Sequence, residues 1–580
     1  MNDTGASPDL RGGDGVYSAT LPGQAANAIV AFHVDATDTK AAATQFPEPN
    51  TSGEALVMFG QTLPAGGFGT YRFWITESTR AFWQSQIRLS NKLMDTTMIY
   101  NNMRAIYNAS IRYRGSSFIR PSGNPLTANS AYAFKAPKDN PLLGTRSFNL
   151  DFFEGGRDPT YQRERFCFWM GEQLGHPTSY QRYVHVYVNQ SKRGKVFGDV
   201  SFPNRDWLKT WYPDDFNGSL FEIDDWFEYD DSLSHNSVNA TIQKFLTGSA
   251  YKQARYRWSW EKKVQQASDD CYQDIFTLAE AMNLPLGDVY DQRVSALVDF
   301  ESWMRAFAVR HAIADWDGYG YARGKNAYTY NPVESGWQIL LWDMDFSLGA
   351  GSSGATDSIF SGINDPTLSA KFYVNPRFRR AYVRAIQTIA DTLYAPEIGD
   401  PIMDAQYQAF VTNSVVVDPP TAIRTWIDQR RASLTSQVDA LDTSVFTMSE
   451  TNIITSTTPA TLTGEAPLQV KYISINGEPY PVKWTDLTHW EVDVSVTSTV
   501  TQLSIAALTL DEATLATLNA SITYSGTLPI PDPGAARVIN EIHYDPTQPA
   551  AEFIELYNTS SSNTFDLSGY RIDGVDMDFG

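Results

Sequence analysis

The sequence predicts an α+β body at residues 49–446, flanked by small all-β sandwich modules. Three observations carry that expectation. Strand-type alternation and helix-type periodicity mix between about residue 50 and residue 445. After about residue 449, Thr and Ser rise, helical periodicity vanishes and short strands recur. The chain opens on alternating stretches, Gly15 to Leu21 and Ala28 to Val34, parted by a Pro22-Gly23 turn.

The elements follow in chain order. Residues 1–48 read as the C-terminal part of a β-sandwich module. In the body, Ser110 to Arg114, Tyr132 to Lys135 and Tyr183 to Val188 read as strands. Leu297, Phe300, Met304, Phe307 and His311 recur at three- and four-residue steps, so a helix is expected from about Ser295 to Ala314, with His311 on its apolar face as a core histidine. Phe378, Tyr382 and Ile386 mark a second helix after Pro376. Residues 447–530 read as a β-sandwich, with Val470 to Ile473, Trp490 to Val494 and Leu503 to Ala506 as strands and Asn476-Gly477 as a hairpin turn. A Pro-rich linker around residues 529–533 leads to a last, truncated β module at 531–580.

Composition narrows the function. Apolar residues are 42% of the chain and charged residues 19%, which suits packed domains. There are 45 basic and 66 acidic residues, a net charge of −21, and no basic run, so nucleic acid is a poor partner. No stretch approaches the ~20 apolar residues of a membrane span. Cys167 and Cys271 cannot build a disulfide framework or a four-sulfur zinc site; they pair with each other or are buried thiols. The start lacks a basic, then apolar, leader pattern, and both ends read as pieces of small β domains within a longer chain.

The informative window runs from Asp315-Trp316-Asp317-Gly318-Tyr319 to Trp342-Asp343-Met344-Asp345-Phe346. Asp315 and Asp317 fall where the long helix gives way to a Gly-rich loop, and Asn326 follows. Trp337 to Trp342 reads as a buried strand. Alternation then sends Asp343 and Asp345 to one side, roughly 7 Å apart. Carboxylates projecting together are costly unless compensated, and a hard divalent cation with oxygen ligands compensates them. Such a metal suits phosphoryl transfer, where catalysis is mainly positioning and charge neutralisation. The bland alternative is that these aspartates cap turns. Upstream, Arg112-Tyr113-Arg114-Gly115-Ser116 is a strand running into a small-residue turn, and Lys135 ends the next strand. A turn over phosphates with a strand lysine would serve a nucleotide, and this is no P-loop. An exposed turn and a solvated lysine are the default reading.

The order Arg-x-Arg-Gly-Ser (112–116), strand lysine (135), Asp-x-Asp-Gly-Tyr (315–319), Lys-Asn-x-Tyr (325–328) and Trp-Asp-x-Asp-Phe (342–346) resembles the CotH (spore coat protein H) kinase family over about residues 70–445. The resemblance implies an atypical protein-kinase-like, two-lobed domain. It implies transfer of phosphate from ATP, with magnesium or manganese, to Ser or Thr of secreted or surface proteins. Lys135, with Arg114 and Ser116, would bind the ATP phosphates. Asp317 would orient the acceptor hydroxyl. Asn326 and Asp343 would hold the metal, with Asp345 and Asp315 close by. Many relatives carry a glutamate in a strand that here reads Lys195-Val196-Phe197-Gly198-Asp199; if that glutamate fixes the ATP lysine, Asp199 substitutes or the ion pair is absent. Glu222 stands where relatives often have lysine. Arg537 to Ile542 and Glu552 to Asn558 resemble the start of a lamin-tail domain, which implies an extracellular or cell-surface bacterial protein. The implied partner is a protein substrate or surface partner. A non-catalytic surface scaffold is the second reading, and a glycoside hydrolase using paired carboxylates the third.

Overall fold

The computed structural model describes residues 1–9, 11–48, 53–60, 67–115, 119–153, 158–229, 235–264, 271–443, 445–496, 498–526, 534–544, 552–565, 567, 570–572 and 577–578. The chain is an α+β protein. Its first large unit is a closed seven-stranded barrel. The strands are β1 (Gly69–Trp74), β2 (Met94–Tyr100), β3 (Arg104–Arg114), β4 (Ala131–Lys135), β5 (Ser147–Phe152), β6 (Gln181–Val188) and β7 (Ser191–Val200). Neighbours pair antiparallel except β1 and β6, whose parallel register, Gly69 opposite Val184, closes the ring. Alternation sends Tyr71, Phe73, Ile111, Tyr132, Phe134, Leu150 and Phe197 into one buried core. Arg114 and Ala131 pair across β3 and β4.

The second unit is helical, built around a four-stranded antiparallel sheet. Its strands are β8 (Ser219–Ile223), β9 (Trp260–Val264), β10 (Ala327–Asn331) and β11 (Gln338–Leu341), in the order β9-β8-β10-β11. Helix α1 (Arg163–Gln173) shares this core, as Phe166, Phe168 and Met170 are buried in it. The helix expected from Ser295 to Ala314 is instead two helices, α2 (Asp288–Leu297) and α3 (Phe300–Ala312). The break has a physical cause. The Gly336-Trp337 backbone intrudes there: Trp337 N–H donates to Leu297 O at 2.7 Å and Asp299 N–H donates to Trp337 O at 3.1 Å. Asp299 then caps α3 by accepting from Ser302 N–H. Helix α4 (Pro376–Thr388) starts where expected, capped by Asn375 with Pro376 in its first turn. It packs on α3 through the stacked Phe300 and Phe378 rings, 4.6 Å apart, and the Arg384–Glu301 ion pair at 2.8 Å.

Residues Thr447 to Tyr524 form a four-stranded and a five-stranded sheet around a shared core that includes Leu462, Ile473, Trp490 and Ile505. The opening residues differ from expectation. Ile29–Phe32 pairs with Ala55–Met58, across the division expected at residue 48, and Val34–Thr37 pairs with Ala43–Phe46. Among the described residues these ribbons make no sandwich of their own. Leu56 and Met58 instead pack on Trp74 and Ile99 of the barrel, because four-residue strands bury too little apolar surface alone. Near the end, Arg537–His543 and Phe553–Asn558 form a hairpin. Both cysteines are free thiols, Cys167 buried and Cys271 half-buried. Among the described residues no helix is long and apolar enough to cross a membrane.

Candidate active site

One buried guanidinium assembles the central loops. Arg310, in the last turn of α3, is 1% exposed at its side chain, and its partner Asp315 is fully buried. Arg310 ion-pairs with Asp315 and donates to the backbone oxygens of Asn326 and of Trp342, the last at 3.0 Å. It therefore ties the turn after α3, the start of β10 and the segment after β11 into one body. Gly318 follows from this: a Cβ there would stand 2.2 Å from Arg310 Nη1.

On that frame sit the polar groups. Asp317 Oδ2 lies 3.1 Å from Lys325 Nζ and accepts from Asn326 Nδ2 at 3.1 Å. Asn326 Nδ2 also donates to Asp317 O at 3.0 Å, which leaves Asn326 Oδ1 for another partner. Burial raises the Asp317 pKa, Lys325 opposes that, and Asp343 and Asp225 add to the rise. Asp343 is half-buried and has φ 51°. It is the electrostatic hub, since its charge acts on Arg114, Asp151, Glu164, Asp315, Asp317 and Lys325.

The barrel supplies the facing wall. Arg114, at the end of β3, reaches across the small Ala131 to ion-pair with Asp151 on β5. Its guanidinium lies 5.7 Å from the Trp342 ring. Glu164, in the first turn of α1, accepts from Gln181 Nε2 at 2.9 Å and from Met344 N–H at 3.3 Å. Burial lifts Glu164 well above the usual carboxylate range, with Asp151, Asp343 and Asp345 adding to the rise. Burial pushes Asp151 up to about 6, with Arg114 opposing and Asp343 reinforcing. The cluster thus holds more negative charge than Arg114 alone offsets.

The predicted residues sort as follows. Asp317, Asn326, Asp343 and Arg114 come together, and Asp345 lies within the field of Glu164. Asp343 and Asp345 do not alternate on a strand: β11 ends at Leu341, and the left-handed backbone at Asp343 breaks the pleat. Asp315 is sealed from solvent with its Oδ2 against Arg310, and its Oδ1 is buried without a hydrogen-bond partner. Lys135 is exposed at the far end of β4, opposite Ser110 and Ser147 and four residues from the Ala131 that Arg114 crosses. At roughly 3.3 Å per residue that is about 13 Å along the strand. Asp199 does not pair with Lys135; it is buried in the barrel, accepting from the Tyr71 hydroxyl at 2.5 Å and ion-paired with Arg182. Arg182 and Tyr71 line a separate cleft of about 410 Å³ at the barrel mouth. Ser116 lies outside the described residues. Glu164, Asp151 and Arg310 escaped sequence reasoning, since nothing in their local pattern separates them from ordinary surface charges.

Comparison with known proteins agrees with this arrangement of motifs. The family model described as CotH kinase protein matches residues 111–434. The chain is 26% identical over 166 residues to the inner spore coat protein H of Bacillus subtilis (strain 168), an alignment covering 28% of this chain and 43% of that protein. The match begins in β3 and ends in the helix Thr421–Asp439, so it takes in Arg114, Asp317, Lys325, Asn326 and Asp343. The chain belongs to the CotH kinase family.

Proposed function

We propose that this chain is an ATP- and divalent-metal-dependent phosphotransferase acting on Ser or Thr of a protein, with the barrel and the helical unit as the two lobes of a kinase-like domain. The observation that supports it most is the meeting of Asp317, Lys325, Asn326 and Asp343 on the frame of Arg310, opposite Arg114. The donor types suit a hard cation: Asp343, Asp345 and Asn326 Oδ1 would offer oxygen ligands, beside Asp151 and Glu164, whose pKa values burial and the neighbouring acids raise. Magnesium or manganese held there would neutralise charge on the transferring phosphate. Asp317 accepts the hydroxyl proton of the acceptor and orients its oxygen, and Lys325, 3.1 Å away, opposes the rise in its pKa that burial causes. Arg114 takes the role first expected of Lys135, gripping phosphate oxygens from the barrel side, where a guanidinium binds two at once. Glu164 holds the Met344 amide and so steadies the segment that carries Asp343.

The spore-coat relative supports a bacterial, surface-associated setting, and the terminal hairpin is read as the start of a lamin-tail module. The scaffold reading keeps one point in its favour, the absence of the β4 lysine from the cleft. Transfer of labelled γ-phosphate to a protein acceptor decides between the two. Wild type transfers with magnesium or manganese, and Asp317→Ala loses at least about 100-fold, the range of general-base removal. It does so at an unchanged melting temperature. Full transfer by Asp317→Ala would remove the assignment, and no ATP–magnesium stabilisation of wild type would favour the scaffold.

A further inference from the structure

The barrel mouth holds a cleft that phosphate transfer leaves unused. Side chains alternate along β6: Gln181 points out to Glu164, whereas Arg182 shares the inward face of Val184 and Val186. On β7, Asp199 likewise shares the inward face of Phe197. Arg182 and Asp199 pair with each other and with the Tyr71 hydroxyl, which donates to Asp199 and accepts from Arg182 at 3.0 Å. This polar cap ends the apolar barrel core. Tyr100 stands edge-on to Tyr71, with ring centres 5.7 Å apart. Beyond the cap opens the cleft of about 410 Å³. The β2–β3 turn forms one rim, where Asn101 and Asn102 both take left-handed backbones, φ 49° and 55°. Asn101 Oδ1 accepts from Thr70 N–H at 2.8 Å, and Asn102 Oδ1 accepts from Arg72 Nε at 2.9 Å. Both side-chain carbonyls are thus used within the protein, and the two Nδ2 groups keep their protons for another partner. Arg182 meets Tyr71 and Asp199 through Nη2, which leaves Nη1 as a third donor.

Charge and polarity decide the occupant. Arg182 is the one cation among the described lining residues, and Asp199 offsets its charge, so a phosphate chain finds no net positive field. No carboxylate is among the described lining residues, so an ammonium group finds no partner. An apolar occupant would strip water from Arg182, Asn101 and Asn102 and return no hydrogen bond. A neutral molecule with several oxygen acceptors satisfies all three. The volume falls in the range of about 300–1,000 Å³ typical of small-molecule sites, and barrel mouths are among the places where such sites occur. Phe68 and Tyr100, both half-buried, add ring surface to the lining. A sugar unit offers hydroxyls at its edge and C–H groups on its faces, matching donors beside aromatic rings. We infer that the barrel mouth is a carbohydrate subsite taking one neutral sugar unit, with Arg182, Asn101 and Asn102 donating to its oxygens. The subsite shares no lining residue with Asp317, Lys325, Asn326, Asp343 or Arg114, so it stands or falls apart from phosphate transfer.

Ligand-observed saturation-transfer NMR on the full chain, without ATP, tests it. The probes are glucose, N-acetylglucosamine and the N-acetylglucosamine tetramer, and the competitors are inorganic phosphate and indole. Sugar binds, and neither competitor displaces it. Asn102→Gly sits in an exposed turn whose backbone glycine adopts freely, and it removes one donor. It should weaken sugar binding about fivefold to tenfold, the scale of one hydrogen bond. Arg182→Lys keeps a charge opposite Asp199, removes the guanidinium fork and should weaken binding likewise. Tighter binding of the tetramer than of the monomer assigns the subsite to a glycan chain, and equal binding assigns it to a free sugar. Saturation transfer to none of the three sugars would overturn the inference. Displacement by phosphate would overturn it by making Arg182 an anion site, and displacement by indole by making the cleft an apolar one. Wild-type affinity in both variants would place the sugar elsewhere on the chain and overturn it too.

Discussion

Arg310 and Asp315 form a pair sealed from solvent, and such a pair costs much more to break than to remove whole. Arg310→Met strands the Asp315 charge and two backbone carbonyls, with an expected loss of about 3–5 kcal/mol in unfolding experiments. Arg310→Met with Asp315→Leu should recover the share due to the stranded carboxylate, leaving the two unpaired carbonyls of Asn326 and Trp342. No recovery in the double variant would show that Asp315 is not the partner that Arg310 chiefly satisfies. This is where residue-level reading of the sequence fell short: Asp315 and Asp317 carry the same side chain two positions apart, and only the buried guanidinium tells their roles apart. His311 was legible as a core residue from its helical spacing. It is buried, its Nδ1–H donates to Phe307 O at 3.1 Å, and burial lowers its pKa to about 4. The unfolded chain takes up its proton below about pH 6.5 and the folded one only near 4. His311 therefore stabilises the fold above that window, and its contribution is lost as pH falls through it, by about 3 kcal/mol in full. Asp151 and Asp315, both raised to about 6, run the other way: their stabilisation is present in acid and lost as pH rises through 6. Comparing wild type with His311→Leu cancels those carboxylates. The variant should lose less stability between pH 7 and pH 4.5 in denaturant titrations, and equal slopes would contradict the assignment.

At the scale of elements, the strands of the barrel and helices α3 and α4 could be read from periodicity because each buries one regular face. The α2–α3 break could not, since its cause is a backbone segment, Gly336-Trp337, that approaches from some forty residues away. The closing of the barrel was equally hidden, because β1 and β6 are joined by pairing and not by any local pattern. The Asp343–Asp345 alternation failed at a single left-handed residue. The turn after α3 tests how tightly these elements are registered. Gly318→Ala places a methyl 2.2 Å from Arg310 Nη1, inside a fully packed site, so either the guanidinium or the turn must move. Overpacking of this kind costs about 1–3 kcal/mol. Because Arg310 also holds Asn326 and Trp342, the shift should reach Asp317 and Asp343 together. The expected result is a fall in transfer rate exceeding the stability loss, with ATP affinity lowered as well. A variant with a wild-type rate would show that the turn is not registered through Arg310.

Across the whole molecule, the β-sandwich is not a loosely tethered neighbour. Arg380 leaves α4, the helix packed on α3, and is 1% exposed. It enters the sandwich, donating to the backbone oxygens of Pro467, Leu487 and Val470, the last at 2.8 Å, and stacking 3.6 Å from the Trp484 ring. Burial pushes its pKa down to about 9, and it stays charged at neutral pH. The sequence showed two textures meeting near residue 449 but gave no sign that one arginine joins them, since its acceptors are carbonyls that any residue would offer. Leu468 of the sandwich lies in the same core as α3 and α4, which makes the junction apolar as well as hydrogen-bonded. Arg380→Ala leaves those carbonyls without a donor and opens space beside Trp484, and each buried orphan costs about 1–3 kcal/mol. The sandwich has its own core and should survive release. Calorimetry of the variant should therefore separate an earlier transition from that of the body, and protease should cut near residues 441–447 sooner than in wild type. Transfer to a short peptide should be unaffected, because Arg380 touches neither wall of the cleft. A single unchanged transition would mean that the Leu468 contact alone fuses the two units.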